Sequence, residues 1–432
     1  MSAEPPSAEG VTNSPYLIKI QSREDLAFVL SEASTLEHMI MCEYLFAAFS
    51  LKKGEHEGLN PTQLEKVLSW ERVIETVAVQ EMTHLALVNN MLISIGCGPY
   101  FQHANFPQPS RYFSPNVRLA LVPFGEQALR HFLYLERPEG MSIEGVPGFE
   151  VLGDLNPPEL KGRILPQTQY FTTVGNLYRG IEKGFRDLAK IHGEDGLFVG
   201  AKHAQATEER FGLPSLFQVA DLDSACKAID GIVEMGEGAR GNWESAHFGM
   251  FLGVFKDFVA MKRADPQFRP TRPVVAAYVR PPGGVEEAPQ ITDPYTSKAA
   301  DLFNAAYGLA IGTLSRFYVH EAENEVELQI LADAAVGLMA GAIEPIGEML
   351  TTLPVGARLP GLTAGPSFEL QHREYILPHR EQAFMVLQER FSELAAYAAS
   401  MAESAQSPKV SSGFESVQSS LQGLAQKFRL GN

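Results

Sequence analysis

The feature that most limits how this chain can fold is a helical stretch from Trp70 to Gly98, with Glu81-Met82-Thr83-His84 at its centre. Ile74, Val77, Val88, Met91 and Ile95 recur at helical spacing and define a buried stripe. Glu81 and His84 fall on that stripe. A carboxylate and an imidazole three residues apart point the same way on a helix, and burying both without partners costs several kcal/mol. Either a hydrogen-bonded pair or a bound cation must satisfy them.

One such pair is weak evidence, so the weight falls on whether other helices place acids on their apolar faces. A first helix starts at Ser22, with Arg23, Glu24 and Asp25 in its first turn, and is expected to run to about Lys53, before Gly54 and the Gly58-Leu59-Asn60-Pro61 turn. Glu37 sits within its stripe of Leu26, Leu30, Ala33, Ile40, Tyr44 and Ala48, and Glu43 lies about a third of a turn away. With about 1.5 Å of rise per residue, Glu81 stands roughly 30 Å from the turn, Glu37 roughly 22 to 24 Å and Glu43 about 14 Å, so Glu37 is the better match in height. A buried Glu37 paired with an arginine or a backbone donor is the competing reading.

A third helix is expected over about Gln169 to Ile191, with Glu182 beside Ile181 on its stripe. A fourth starts at Asp221, and Glu237 continues its stripe. Gly236, Gly238 and Gly241 then interrupt the pattern before it resumes at Asn242 with Trp243, His247, Met250 and Val254. Glu237 and His247 would face the cavity as a broken counterpart of Glu81 and His84. Glu244 is the competing ligand, and Glu234 follows a polar face. His192 and His203 read as solvated loop residues.

The candidate ligand set is therefore Glu37, Glu81, His84, Glu182, Glu237 and His247. Carboxylates on the apolar faces of four helices, together with histidines, are the ligand set of di-metal bundles. Burying that many charges without a cation is strongly destabilising. A pair of metal ions is expected, and the same ligands take iron, manganese or zinc. Tyr44 and Tyr178 lie near these positions as core residues or as hydrogen-bond partners of ligands.

At 432 residues the chain exceeds one compact core. The net charge of −17 argues against nucleic acid or an anionic membrane as the main partner. Cys42, Cys97 and Cys226 form a sparse, odd set suited to a reducing cytoplasm, and no signal peptide or uncharged bilayer-length run is visible. About 70 residues rich in Pro and Gly follow Pro99, an ordered insertion with a short helix expected over Phe124 to Glu136.

After a Pro-rich connection with an expected strand at Val274 to Val279, helical patterning returns. Helices are expected over Ser297 to Tyr318, Glu323 to Leu353, His379 to Glu403 and Phe414 to Phe428, with Ser407 to Ser412 as a flexible joint. Glu344, Glu348 and His320 read as structural. The expected division is a metal-binding bundle over 16–265, a linker over 266–296 and a second helical domain over 297–432.

Leu36-Glu37-His38, Gln80-Glu81-Met82-Thr83-His84-Leu85, the Gly96 to Pro99 turn, Asn105-Phe106-Pro107, Leu177 to Glu182, Gly236-Glu237-Gly238 and Ala246-His247-Phe248 together resemble the ferritin-like domain of iminophenyl-pyruvate dimer synthases. The resemblance covers roughly residues 20 to 265 and continues more faintly through Asp301 to Asn304 and Ala364 to Glu369. It implies an all-α chain built on a ferritin-like four-helix bundle, non-haem iron, and O2-dependent oxidative coupling of imines derived from aromatic amino acids. Asn176 departs from the acidic residue often found there. The alternative is a non-catalytic ferritin-like metal-binding, storage or scaffold protein. The expected partners are a small-molecule substrate and O2, without nucleic acid or membrane, and a homo-oligomer is left open.

Overall fold

A computed structural model describes residues 18–109, 118–139, 141, 169, 171–238, 243–281, 289–370, 377 and 379–429. Two long rods come first. Helix α1 spans Arg23–Ser50, and its start is fixed by Ser22, whose side chain accepts from the Asp25 N–H while Asp25 accepts in return from the Ser22 N–H. Helix α2 spans Pro61–Ser94 and uses the same reciprocal cap from Asn60 and Gln63, with Pro61 in its first turn. Helix α1 stops short of Lys53 because the chain turns extended at Leu51 and pairs with Thr271, while the Lys52 N–H bonds the Pro270 carbonyl.

The short helix α3, Glu126–Leu135, lies within the Pro-rich insertion, near a two-residue antiparallel pairing of β1, Gln108–Pro109, with β2, Arg118–Leu119. Helix α4, Val174–His192, begins later than the expected Gln169, at the Thr173 cap. Helices α5, Leu222–Gly236, and α6, His247–Ala264, follow with a break between them. Helix α1 packs on α2 and α4, α5 packs on α2 and α4, and α6 packs on α2 and α3. The fourth rod of the bundle is thus made of two pieces, α5 and α6, and α6 starts at His247 rather than after the expected Asn242, which lies outside the described residues.

Beyond one-turn helices at Glu194–Leu197 and Glu208–Phe211, five more helices follow among the described residues and give an all-α architecture: α7, Pro294–Tyr318; α8, Glu325–Leu338; α9, Glu344–Leu350; α10, Arg380–Glu403; and α11, Pro408–Lys427. A π-turn, Met339–Ile343, joins α8 to α9 into one rod. A Cβ on Gly341 would fall 1.9 Å from Ser420 Oγ, so only glycine lets α11 lie this close to the turn. Ser407 caps α11 rather than opening a flexible joint. Val274 makes a single bridge to Thr363 instead of the expected strand.

By length and composition the Glu325–Leu350 rod could cross a membrane, a stretch that a search for an uncharged run passes over. Half of its apolar window is buried inside the protein. Buried apolar side chains from both halves of the chain form one contact cluster. Arg272 clamps the halves together, bonding Glu57 Oε1 at 2.6 Å, Thr351 Oγ1 at 2.8 Å and the Phe49 carbonyl at 3.2 Å.

Candidate metal centre

The bundle's interior holds two ligand groups that share Glu81. Glu37, Glu81 and His84 form one, and Glu81, Glu136 and His247 form the other; in each, all three ligand atoms lie within 4.8 Å of one another. Glu81 Oε2 lies 2.8 Å from His84 Nδ1 and Glu81 Oε1 lies 2.9 Å from His247 Nδ1. Glu37 Oε2 stands 3.7 Å from His84 Nδ1, and Glu136 Oε2 stands 3.5 Å from His247 Nδ1. The two imidazoles face each other nearly parallel, with ring centres 5.4 Å apart.

The outer carboxylates are each held by a phenol. Tyr178 donates to Glu37 and Tyr44 donates to Glu136. The centre is therefore nearly symmetric about Glu81, each half adding one histidine, one glutamate and one tyrosine. Glu237 lines the same cavity, which has a volume of about 20 Å³. It accepts the Gly175 N–H at 2.7 Å and the Glu139 N–H at 3.1 Å. A Cβ on Gly175 would lie 2.5 Å from Glu237 Oε2, so the glycine is what admits this carboxylate.

The electrostatics show what the protein alone leaves unbalanced. Burial would hold the His84 imidazole neutral, but Glu81 and Glu37 outweigh it and raise its pKa to about 10. Burial is likewise outweighed by Glu81 and Glu136 at His247, which rises to about 9. Glu37 is pushed up to about 8 by burial and by the Glu81 charge. Burial would raise Glu81 too, yet the two imidazoles hold it well below the usual carboxylate range. Burial lifts Glu237 to about 7 against its two backbone donors.

Two observations test whether a cation fits. His247 Nε2 lies 3.0 Å from the Gln80 side-chain oxygen, which can only accept, so Nε2 carries a hydrogen and Nδ1 is the nitrogen left to take a proton or a cation beside Glu81. Nδ1 has no hydrogen-bond partner despite being 2.9 Å from that carboxylate, and His84 Nε2 is also buried without one. A bare Nδ1 facing a carboxylate is repulsive, so either a proton or a cation belongs between them, and the raised pKa of His247 is the metal-free form of that demand. In addition, Glu37, Glu81, Glu136 and Glu237 bring four carboxyl groups among two imidazoles, four negative charges when all are ionised. Two divalent cations with neutral histidines would cancel that charge. The donor set fits a di-metal site.

Of the residues expected from sequence, Glu37, Glu81, His84 and His247 come together and Glu237 lines their cavity. Glu182 requires correction. It bonds Arg179 and Arg186, one turn before and after it, at 2.8 and 2.7 Å, on a face of α4 where Arg179 also meets Asp230 of α5. Its position at the edge of the stripe let those arginines draw it outward, and α4 contributes Tyr178 instead.

Glu136 was missed, although it extends the apolar spacing of Leu129, Phe132 and Leu133 by one turn. Glu43 is buried elsewhere, 2.9 Å from His131 Nε2, while Glu234 and Glu244 are exposed.

The ferritin-like family profile matches residues 30–256, more than half of the chain. Dichlorochromopyrrolate synthase of Lentzea aerocolonigenes is 28% identical over 408 residues, covering 87% of this chain and 39% of that protein. The 2-imino-3-(indol-3-yl)propanoate dimerase of Chromobacterium violaceum is 25% identical over 374 residues, 81% of this chain and 34% of that protein. This chain thus spans well under half the length of either relative. A ferritin like protein from Caulobacter vibrioides superposes with a TM-score of 0.46 at 17% identity, covering 73% of this chain and 96% of that one. With a four-helix interior that gathers carboxylates and histidines, and a family match over that same bundle, the chain belongs to the ferritin-like family.

Proposed function

We propose that this chain is an O2-dependent, non-haem di-metal oxidoreductase, iron being the expected metal, that acts on a small imine derived from an aromatic amino acid. The observation that carries the reading is the pair of ligand groups joined through Glu81. The substrate class follows the two relatives, whose names specify a dichlorochromopyrrolate product and an indolyl imino acid.

Glu37, Glu81, His84, Glu136 and His247 would hold the two ions, with Glu237 as a further carboxylate beside them. When bound, such a pair supplies an acceptor for electrons and a place for O2 to be reduced. The protein's own part is positional. Gln80 fixes the His247 tautomer by accepting its Nε2 hydrogen, and Tyr178 and Tyr44 orient the outer carboxylates by donating to them. Glu237, held by the Gly175 and Glu139 N–H groups, would present a carboxylate oxygen beside the ions. In the overall coupling two substrate carbons join, and the two electrons and two protons they lose pass to O2.

The test loads the chain with Fe(II) anaerobically, admits O2, and follows absorbance and product. The substrate is 2-imino-3-(indol-3-yl)propanoate generated from tryptophan by an amino-acid oxidase. Metal-dependent loss of the imine with formation of a coupled product supports the proposal. Iron uptake and an O2-dependent absorption change without turnover of any aromatic imine would favour a metal-buffering protein. Absence of stoichiometric metal would favour a scaffold.

A further inference from the structure

On the opposite side of α1 and α2 from the carboxylates lies a second cavity, of about 460 Å³, roofed by the rod that contains the π-turn. Its volume is in the range of small-molecule pockets, roughly 300 to 1,000 Å³. Met41, Met82 and Met339 line it together with Phe101, Phe211 and Phe368, so its walls are apolar and adaptable. The π-turn contributes Met339, Ala340 and Ile343. Such bulges recur at functional sites. The open side carries Val79 and Val336, which are 41% and 39% exposed. The enclosed side ends on His38 and Tyr307, both buried.

That end is short of hydrogens. His38 Nδ1 lies 3.0 Å from the Phe101 carbonyl and His103 Nδ1 lies 2.9 Å from the Ala104 carbonyl. Carbonyls only accept, so each ring carries its hydrogen on Nδ1 and turns a bare Nε2 toward the Tyr307 hydroxyl. Those nitrogens lie 2.6 and 2.7 Å from Tyr307 Oη. One hydroxyl hydrogen cannot serve both. The Cys42 thiol, 3.4 Å from the same oxygen, can donate only to Tyr307 and leaves one imidazole unserved.

The open side is acidic. Glu75 and Glu344 line it, with Glu348 close by, and the neighbouring Lys53 is already paired with Glu71 and Glu348.

We infer that this cavity is a second small-molecule site, taking a flat aromatic ligand that bears one N–H or O–H donor and no carboxylate. The donor would satisfy the acceptor-rich end at His38 and Tyr307, the ring would lie among the methionines and phenylalanines, and the acids at the opening would accept a neutral or amine-bearing tail while repelling an anion. The inference does not depend on the metal centre, because the ligand is read by groups outside it.

The test uses the metal-loaded 432-residue chain under anaerobic conditions and calorimetric titration with indole, 1-methylindole, tryptamine and indole-3-acetate. Indole and tryptamine should bind one per chain. Losing the N–H in 1-methylindole should weaken binding by about tenfold, the worth of one buried hydrogen bond. Indole-3-acetate should bind more weakly than tryptamine by about tenfold or more, and Glu344→Gln should narrow that gap.

Met339→Trp should fill the cavity and abolish binding while far-UV circular dichroism and Fe(II) uptake stay unchanged. Val336→Trp, at an exposed position, serves the same purpose should Met339→Trp fail to fold. Binding that survives in a folded blocking variant, equal binding of 1-methylindole and indole, tighter binding of indole-3-acetate than of tryptamine, or no saturable binding at all would each overturn the inference.

Discussion

Adjacent residues on α1, Glu37 and His38, serve two buried polar clusters whose chemistry is opposite. On the Glu37 side, carboxylates outnumber imidazoles, and His84 and His247 are driven toward the charged form, to about 10 and 9. On the His38 side, neither imidazole bonds a carboxylate. Burial, together with the neighbouring His103 ring, holds His38 well below its ordinary value, and burial takes His103 down to about 4. One residue type is thus pushed toward opposite charge states on the two sides of α1, because the sign of the neighbours decides. The first cluster lacks positive charge and calls for cations. The second, on the inference drawn above, takes a neutral donor.

The sharpest way to break this contrast is to remove the shared carboxylate. Glu81→Ala should lower Fe(II) affinity by more than about 100-fold, since both ligand groups lose their common member, while helicity is retained. Equilibrium dialysis with metal analysis reads the effect. Glu136→Gln, at the ligand that sequence reasoning overlooked, should cost about 10- to 100-fold at one of the two ions and leave the other bound. Unchanged stoichiometry in that variant would remove Glu136 from the set.

Metal should also stabilise the fold by linkage. Mn(II) at 100 times its dissociation constant is expected to add about 2.7 kcal/mol to unfolding, with no gain in Glu81→Ala. Denaturant titration with and without the ion measures it.

On the hydrogen-poor side, Tyr307→Phe removes the hydroxyl that both imidazoles address and should cost about 1 to 3 kcal/mol. Metal uptake should be unaffected, which keeps the two clusters separable.

The smallest effect belongs to Glu182. Its arginine partners stand near solvent and their attraction is screened, so Glu182→Ala should change stability by about 0 to 1 kcal/mol and leave loading intact.

How much was legible follows the range of the interactions. Glu81, His84 and Glu37 declared themselves because a charged residue within an apolar stripe is visible in a helical window, and both α1 and α2 carry strong caps. Glu182 satisfied the same test at the edge of its stripe. Arg179 and Arg186, three and four residues away, were the local sign that it had partners outside.

Glu136 belongs to a short helix in the insertion, and only the packing of α3 on α6 brings it to His247. The His38 cluster was out of reach for a stronger reason. His103 lies in an irregular segment and meets Tyr307 across 204 residues of sequence, so no local pattern links them. The π-turn was equally silent, as Met339 to Ile343 reads as ordinary helix until Ser420 is seen against Gly341.

The central claim is tested most directly by anomalous scattering at the iron edge from crystals loaded anaerobically with Fe(II). Two peaks roughly 3.5 to 4 Å apart, both within bonding reach of Glu81 and flanked by His84 with Glu37 and by His247 with Glu136, are the expected result. A loaded crystal with no peak there, or with iron seated instead beside Glu43 and His131 or Glu182, would contradict the account.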